Sequence, residues 1–526
     1  MNGAQSLLKA LIASGVEVCF ANPGTSEMHL VAAMDNINGM RPVLVLFEGV
    51  ATGAADGYGR MAGKPAVTLL HLGPGLSNGM ANLHNARRAR TPIVNLIGDH
   101  ASYHLQYDSP LTADIVGQAR TVSDWVKVNA SAESLGADAL AAILAAQHGA
   151  GMIASLVVPA NHAWEAASGD VAVKVPPAPK KVAPQLIAQA AEKIRSANNV
   201  AILLGGKALR EDALYAAGRI AAASGARILC ETFPARWQRG AGRFMPERIP
   251  YLAEMAIDRL SEVDTLILVG ATEPVAFFAY PNVPGKLCAE TCEMVPLADA
   301  HADLNDVLQT LAQHLDAPET IATQARHNLP APGGQLCAAG VGAVISKLMP
   351  DNTIISEEAA TSSFGFYPMT EGAAKHEILS LTGGSIGQGL PVAVGAALAC
   401  PDRKVICLHG DGGAMYTMQS LWTLAREKLD VTVIIYNNSS YAILELELAR
   451  VGAHGDGDRA RSLLNLNNPG LNWVALAQGM GISAYAADTV SEFEQQFAKA
   501  MRQRGPVLLE ARIQPLNINN ILGDRA

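Results

Sequence analysis

KVICLHGDGGAMYTMQSLWTLAREKLDVTVIIYNNSSYAIL, residues 404–444, is the stretch whose reading decides the fold. It opens on an apolar, β-branched run, Val405 to Leu408, as a buried parallel strand requires. The run stops at Gly410-Asp411-Gly412-Gly413. A helical pattern follows, with Met418, Leu421, Trp422, Leu424 and Ala425 on one face. A second strand, Val431 to Tyr436, ends at Asn437-Asn438. Both strand ends then lie at one edge of a parallel sheet, where open α/β folds bind ligands. Asp411, Asn438 and a backbone carbonyl such as that of Ser440 would form a half-shell of hard oxygens there. Such a set suits Mg²⁺ or Ca²⁺, completed by phosphate and water. The glycines admit a close phosphate, and the following helix offers its N-terminus.

With 526 residues, 49% hydrophobic and 17% charged, the chain is too long for one core, and three domains are expected. A net charge of −9 without a basic cluster argues against nucleic acid. Seven scattered cysteines offer no second pair near Cys288 and Cys292 for zinc, and fit reduced, buried thiols in the cytoplasm. The N-terminus reads as an amphipathic helix rather than a signal peptide. Ala137 to Ala160 is too interrupted to span a membrane and reads as a helix followed by a strand.

Strands and helices alternate along the chain, which predicts an α/β protein of three doubly wound parallel-sheet domains. Residues 1–168 form the first unit. Its strands are expected at Val16 to Phe20, Val43 to Phe47, Ala66 to Leu72 and Ile93 to Ile97. The second of these should end at Glu48 and the third at a Gly73-Pro74-Gly75 turn. Residues 169–185, rich in Pro and Lys, read as an extended linker. Residues 186–316 form a central unit with strands Val200 to Leu204, Arg227 to Cys230 and Thr265 to Val269. A second linker covers 317–335, and the third unit covers 336–526.

GDGG followed by NN at this spacing resembles the signature of thiamine-diphosphate-dependent enzymes. The whole chain resembles the family that contains benzoylformate decarboxylase, pyruvate decarboxylase and acetolactate synthase. The resemblance implies a pyrimidine-binding first domain, a central domain and a diphosphate-binding third domain. It implies thiamine diphosphate anchored through Mg²⁺ on Asp411, Asn438 and Ser440, with Gly412, Gly413, Tyr441 and Ala442 around the phosphates. Thr361 would add a hydroxyl contact, although Ala360 departs from the family's pattern beside it. Gly384 would offer its carbonyl to the 4′-amine of the cofactor, and Ile386 would prop the cofactor into a V.

Glu48 opens the run EGVATGAADGYGR and is flanked by Phe47, Val50 and Ala51, so poor hydration is expected. It matches the family's glutamate, which hydrogen-bonds N1′ of the aminopyrimidine. In the family that glutamate and the metal site come from different subunits, which implies an obligate homodimer and often a homotetramer. Thr25 and His71 match a serine and a histidine of benzoylformate decarboxylase. Their implied roles are carboxylate binding and proton transfer. That enzyme's second histidine has no counterpart in Pro274 to Pro281, where Phe277, Phe278 or Tyr280 could line a pocket or belong to the core. His100 and His104 read as loop residues. The central turns at Gly205-Gly206-Lys207 and Gly270-Ala271 are incomplete nucleotide motifs and read as cofactor-free rather than as an FAD site.

The expected activity is decarboxylation of a 2-oxo acid to an aldehyde. An acetolactate-synthase-like carboligase is the first alternative. An FAD-linked oxidase and a non-catalytic cofactor-binding protein are further ones.

Overall fold

Three parallel sheets carry the chain in a computed structural model that describes residues 1–168, 175–453 and 457–514. The first sheet has six strands. In spatial order they are Arg41–Leu44, Val18–Ala21, Ala66–Leu70, Ile93–Asp99, Ile153–Pro159 and Trp125–Val128. The central sheet has five, in the order Glu247–Arg248, Arg227–Cys230, Val200–Leu204, Thr265–Val269 and Glu293–Ala298. The third sheet runs Ser483–Ala487, Val507–Arg512, Val431–Asn437, Val405–Gly410, Thr353–Glu358 and His376–Ser380. A seventh strand, Trp237–Arg239, closes that sheet in antiparallel pairing with His376–Ile378. It comes from sequence assigned to the central unit, so that unit and the third are stitched through one sheet.

The inner strands, such as Ala66–Leu70, Val200–Leu204 and Val405–Gly410, are short apolar runs buried on both faces, as helices on either side of a parallel sheet demand. Cores cross the sheets. One cluster joins Val43, Val50 and Tyr58 of the first unit to Leu390, Val405 and Val433 of the third. Another joins Ile202 and Leu214 of the central unit to Phe366, Ile378 and Phe493 of the third.

The first and third units touch where helix Glu48–Ala62 crosses helix Gly389–Ala399. A methyl on Gly57 would collide with the Val392 carbonyl, and one on Gly395 with that of Ala54. Only backbones without Cβ atoms pack this closely. Arg60, at the end of the first helix, is buried against Asp56 and donates to the Ser380 carbonyl at 2.8 Å and to Thr382 Oγ1 at 3.2 Å. The same helix therefore grips the loop after His376–Ser380.

Several expected boundaries move. Glu48 does not end a strand. The strand stops at Leu44, and Glu48 is the first residue of the helix, after the extended Phe47. Gly73-Pro74-Gly75 is not a turn but the first helical turn of Leu72–Ala89, where the N–H that Pro lacks would have had no helical partner. Pro184 likewise starts helix Pro184–Ser196, so the first linker is shorter than expected. Its residues 169–174 lie outside the described residues, as do 515–526 of the third unit. All seven cysteines are free thiols, and five are buried. Among the described residues no helix is long and apolar enough to cross a membrane.

Candidate active site

The third sheet brings the GDGG and NN ends together. Gly410 pairs with Tyr436, so the residues after each leave the sheet side by side. Asp411 is 3% exposed, and it accepts the backbone N–H of Gly412 at 2.8 Å and of Ser439 at 2.7 Å. Burial pushes its carboxyl up to about 6, against the pull of those N–H groups. Asn438 Oδ1 accepts the Ser440 N–H at 3.0 Å. Between them Ser439 adopts a left-handed φ of 55°, an uncommon geometry for a residue with a side chain. The Ser439 carbonyl takes the N–H of Leu466, whereas no hydrogen bond among the described residues uses that of Ser440. The Ser440 hydroxyl donates to Glu445 at 2.9 Å.

The rest of the expected set surrounds this edge. The Tyr441 ring lies on Gly412, where any Cβ would collide with it. Ala442 starts the next helix and is buried. Gly413 sits against His409 and Glu358. Thr361 is buried in the turn Ala360–Gly365, after Ala360 at a φ of 49°. The Gly384–Gly387 loop is tied to Glu358, the residue that ends the strand before this turn and accepts the Gly387 N–H at 2.6 Å. Gly384 has a φ of 75°, and Phe277 packs on it so that a Cβ there would stand 2.5 Å from the ring tip. Phe277, Phe278, Phe233 and Tyr251 form one aromatic group. Phe277 and Phe278 are 42% and 54% exposed, so neither is plain core.

A second group gathers at the edge of the first sheet. Gly75 stands between Glu48 and His71. A methyl there would lie 3.2 Å from Glu48 Oε1 and 3.3 Å from His71 Cβ. Glu48 is buried and accepts from Asn78 Nδ2 at 3.0 Å. His71 precedes Leu72, whose φ of 49° marks a sharp strand-to-helix corner. His71 Nδ1 lies 2.8 Å from Glu27 Oε2, and that oxygen also accepts the Gly24 N–H at 2.7 Å. Burial raises the Glu27 carboxyl above the usual carboxylate range, while the imidazole beside it pulls the other way. Thr25 is exposed in the same turn, Thr25–Glu27. His100 lies 3.0 Å from Ser109 and, with His104 and Tyr107, forms a ring cluster in an outer loop.

The two groups are not joined directly by any hydrogen bond among the described residues. Asn82 and Asn85 stand between them. Asn82 donates to the carbonyls of Gly49 and, at 3.4 Å, Gly387, and Asn85 donates to that of Ser385 at 2.7 Å.

Sequence reasoning assigned no role to Glu27, Asn78 or Glu358. Glu27 was visible two residues after Thr25, but nothing local shows that it reaches His71. Glu358 ends the strand beside His409, and burial pushes its carboxyl up to about 8. In the central unit the half-buried Glu231 accepts the Gly206 N–H at 3.1 Å. The turn that resembled a nucleotide motif thus has an acid partner of its own, occupying a backbone donor that a phosphate would use.

The donor chemistry of the third-sheet edge fits a diphosphate and a hard cation. One carboxylate, one amide oxygen, a carbonyl with no hydrogen bond among the described residues and close-packed glycines gather at this edge. The comparisons agree. Residues 361–511 match the family profile "Thiamine pyrophosphate enzyme, C-terminal TPP binding domain", and residues 1–119 match its N-terminal TPP binding domain. The "Putative acetolactate synthase large subunit IlvX" of Mycobacterium tuberculosis is 49% identical, over 98% of this chain and 100% of that protein. Benzoylformate decarboxylase of Pseudomonas aeruginosa is 28% identical over 95% of this chain and 97% of its own. The solved thiamine diphosphate-dependent 4-hydroxybenzoylformate decarboxylase of Rhodococcus jostii superposes with a TM-score of 0.85 at 25% identity, covering 98% of this chain and 99% of that one. With a relative this similar along its whole length and both cofactor-binding profiles matched, the chain belongs to the thiamine pyrophosphate enzyme family.

Proposed function

We propose that the protein decarboxylates a 2-oxo acid to an aldehyde, with thiamine diphosphate and Mg²⁺. The observation that carries this reading is the His71–Glu27 pair beside Glu48. An ionised Glu27 only accepts, so His71 donates from Nδ1 and keeps Nε2 for the substrate. Thr25, exposed in the same turn, would hold the substrate carboxylate. CO₂ leaves without the electron pair of the broken C–C bond, so the former keto carbon needs one proton; His71, once Nε2 has taken up a proton from solvent, would supply it.

Thiamine diphosphate supplies the electron sink that decarboxylation requires. Asp411, Asn438 and the Ser440 carbonyl would hold Mg²⁺. Thr361, Gly412, Gly413, Tyr441 and Ala442 would surround the diphosphate. Gly384 and Ile386 would contact the aminopyrimidine, with Glu48 at its ring nitrogen. The 1–168 unit would then be pyrimidine-binding and the 336–526 unit diphosphate-binding. The separation of the Glu48 group from the Asp411 group supports a site completed between two subunits of a homodimer, paired again as a homotetramer.

A carboligase of the acetolactate synthase kind is the second reading. The name of the relative at 49% identity favours it. So does Pro274–Pro281, which offers Phe277 and no histidine. The deciding experiment incubates the purified holoenzyme with pyruvate, a branched 2-oxo acid, phenylpyruvate and benzoylformate in turn. Aldehyde and CO₂ in equal amounts are expected. A C–C coupled product from pyruvate, without free aldehyde, would replace the first reading by the second.

A further inference from the structure

Glu358 is a buried carboxyl for which the proposed reaction has no use. It ends strand Thr353–Glu358, 5% exposed. Its two oxygens accept the N–H of Gly387 and of Gly389, both at 2.6 Å. Gly387 directly follows Ile386, and Gly389 is the first residue of helix Gly389–Ala399. The two amides aimed at its oxygens work against the upward push of burial on this carboxyl, and the pair of short bonds fixes the backbone that carries them.

On its other side Glu358 faces the diphosphate turn. Its Oε2 lies 3.4 Å from His409 Nε2, and a methyl on Gly413 would stand 3.2 Å from its Oε1. The same loop residue has a second tether, from Thr417 beyond that turn. Thr417 Oγ1 donates to the Gly387 carbonyl at 2.7 Å. Gly387 has a φ of 95°, and a Cβ would meet that of Tyr416 at 2.6 Å. The loop thus has no slack on this side.

We propose that Glu358 is a positioning residue that sets the spacing between the loop presenting Gly384 and Ile386 and the turn Gly410–Gly413. The two segments address opposite ends of one cofactor, so their spacing fixes how the aminopyrimidine is placed. The inference rests on Gly384 and Ile386 being aminopyrimidine contacts, but not on whether the reaction ends in an aldehyde or in C–C coupling.

The test needs no substrate. Glu358→Gln keeps the side chain's size and turns one acceptor into an NH₂ facing a backbone N–H. Thiamine diphosphate affinity is measured on the full chain with Mg²⁺, by tryptophan quenching. The rate of hydrogen–deuterium exchange at C2 of the bound cofactor is measured by acid quench and NMR. Affinity should change little, because the phosphate and metal contacts remain. Exchange should slow by about a hundredfold, the effect of a displacement of about 1 Å on a positioned group. Bound cofactor with unaltered exchange would overturn the role of Glu358. A wild-type chain that binds no thiamine diphosphate would instead remove the site assignment itself. Should Glu358→Gln not fold, Thr417→Val and Thr417→Ser address the same loop. The valine variant should slow exchange by about tenfold, the worth of one buried hydrogen bond, and the serine variant should restore it. Equal rates in Thr417→Val and wild type would count against the proposal just as firmly.

Discussion

Glu27→Gln isolates the Glu27–His71 pair, to which we assign the proton transfer, from the rest of the site. Glu27 is fully buried, and both of its bonds use the same oxygen. Its other oxygen has no partner and packs on Gly98, where a methyl would collide with it. A glutamine therefore fits the same space, and its carbonyl can keep Gly24 and His71. What it loses is charge. A hydrogen bond to a charged group contributes about 1.5–3 kcal/mol, against about 0.5–1.5 kcal/mol for a neutral one. The difference, about 1–1.5 kcal/mol, is about tenfold in the rate of a step that protonates or deprotonates His71. The expected result is a roughly tenfold lower kcat with little change in KM. His71→Ala alone should cost about 10²–10⁴-fold. Combined with it, Glu27→Gln should cost nothing more, because the glutamate acts only through the imidazole. Initial rates of aldehyde and CO₂ release from the preferred 2-oxo acid give the double-mutant cycle. C2 exchange of the bound cofactor, which precedes any substrate, should be normal in all three variants. A tenfold loss that persists without His71, or one matched by slower C2 exchange, would refute the reasoning.

Other variants test the remaining parts. Glu48→Gln should lower turnover by about a hundredfold or more while cofactor affinity, measured by fluorescence titration, is largely kept. Burial pushes the Glu231 carboxyl up to about 7, against the Gly206 N–H and Arg90. A raised carboxyl favours folding in its neutral form, so its contribution is complete below the ordinary carboxylate range and is lost as pH rises through about 7. Glu231→Gln should accordingly leave the thermal midpoint unchanged near about pH 5 and raise it near about pH 8, by about 1–3 kcal/mol in stability. Arg450 is bonded to Glu254 at 2.8 Å and Glu447 at 3.0 Å, and lies 3.8 Å over the Tyr280 ring, tying helix Ala442–Arg450 to the central unit. Glu254 is 40% exposed, so Arg450→Met should ease local opening by only about 1–3 kcal/mol, seen as faster hydrogen exchange in that helix with the sheets unaffected.

What the sequence disclosed follows from which patterns are local. Strand ends announce themselves through a stop in an apolar run, so Asp411 and Asn438 could be placed together from their positions alone. The first turn of a helix does not announce itself when glycine and proline fill it. That is why Gly73-Pro74-Gly75 resembled a loop and why Glu48 appeared to end a strand. Partners chosen by tertiary packing leave no local trace at all. Glu27 finds His71, Glu48 finds Asn78, Glu358 finds Gly387 and Arg60 finds the Ser380 carbonyl across gaps that no periodicity spans.

One such signal was nevertheless present. Gly49, Gly53 and Gly57 recur every fourth residue within a helix, where each costs about 1 kcal/mol relative to alanine unless something needs the space. Gly53 and Gly57 do meet something, Pro391 and the Val392 carbonyl of the helix that follows the Ile386 loop. The spacing that weakens this helix is what lets it lie against its partner. It thereby carries Glu48 at one end and, at the other, the Arg60 grip on Ser380 and Thr382 before the Ile386 loop, so a single close crossing sets the position of both.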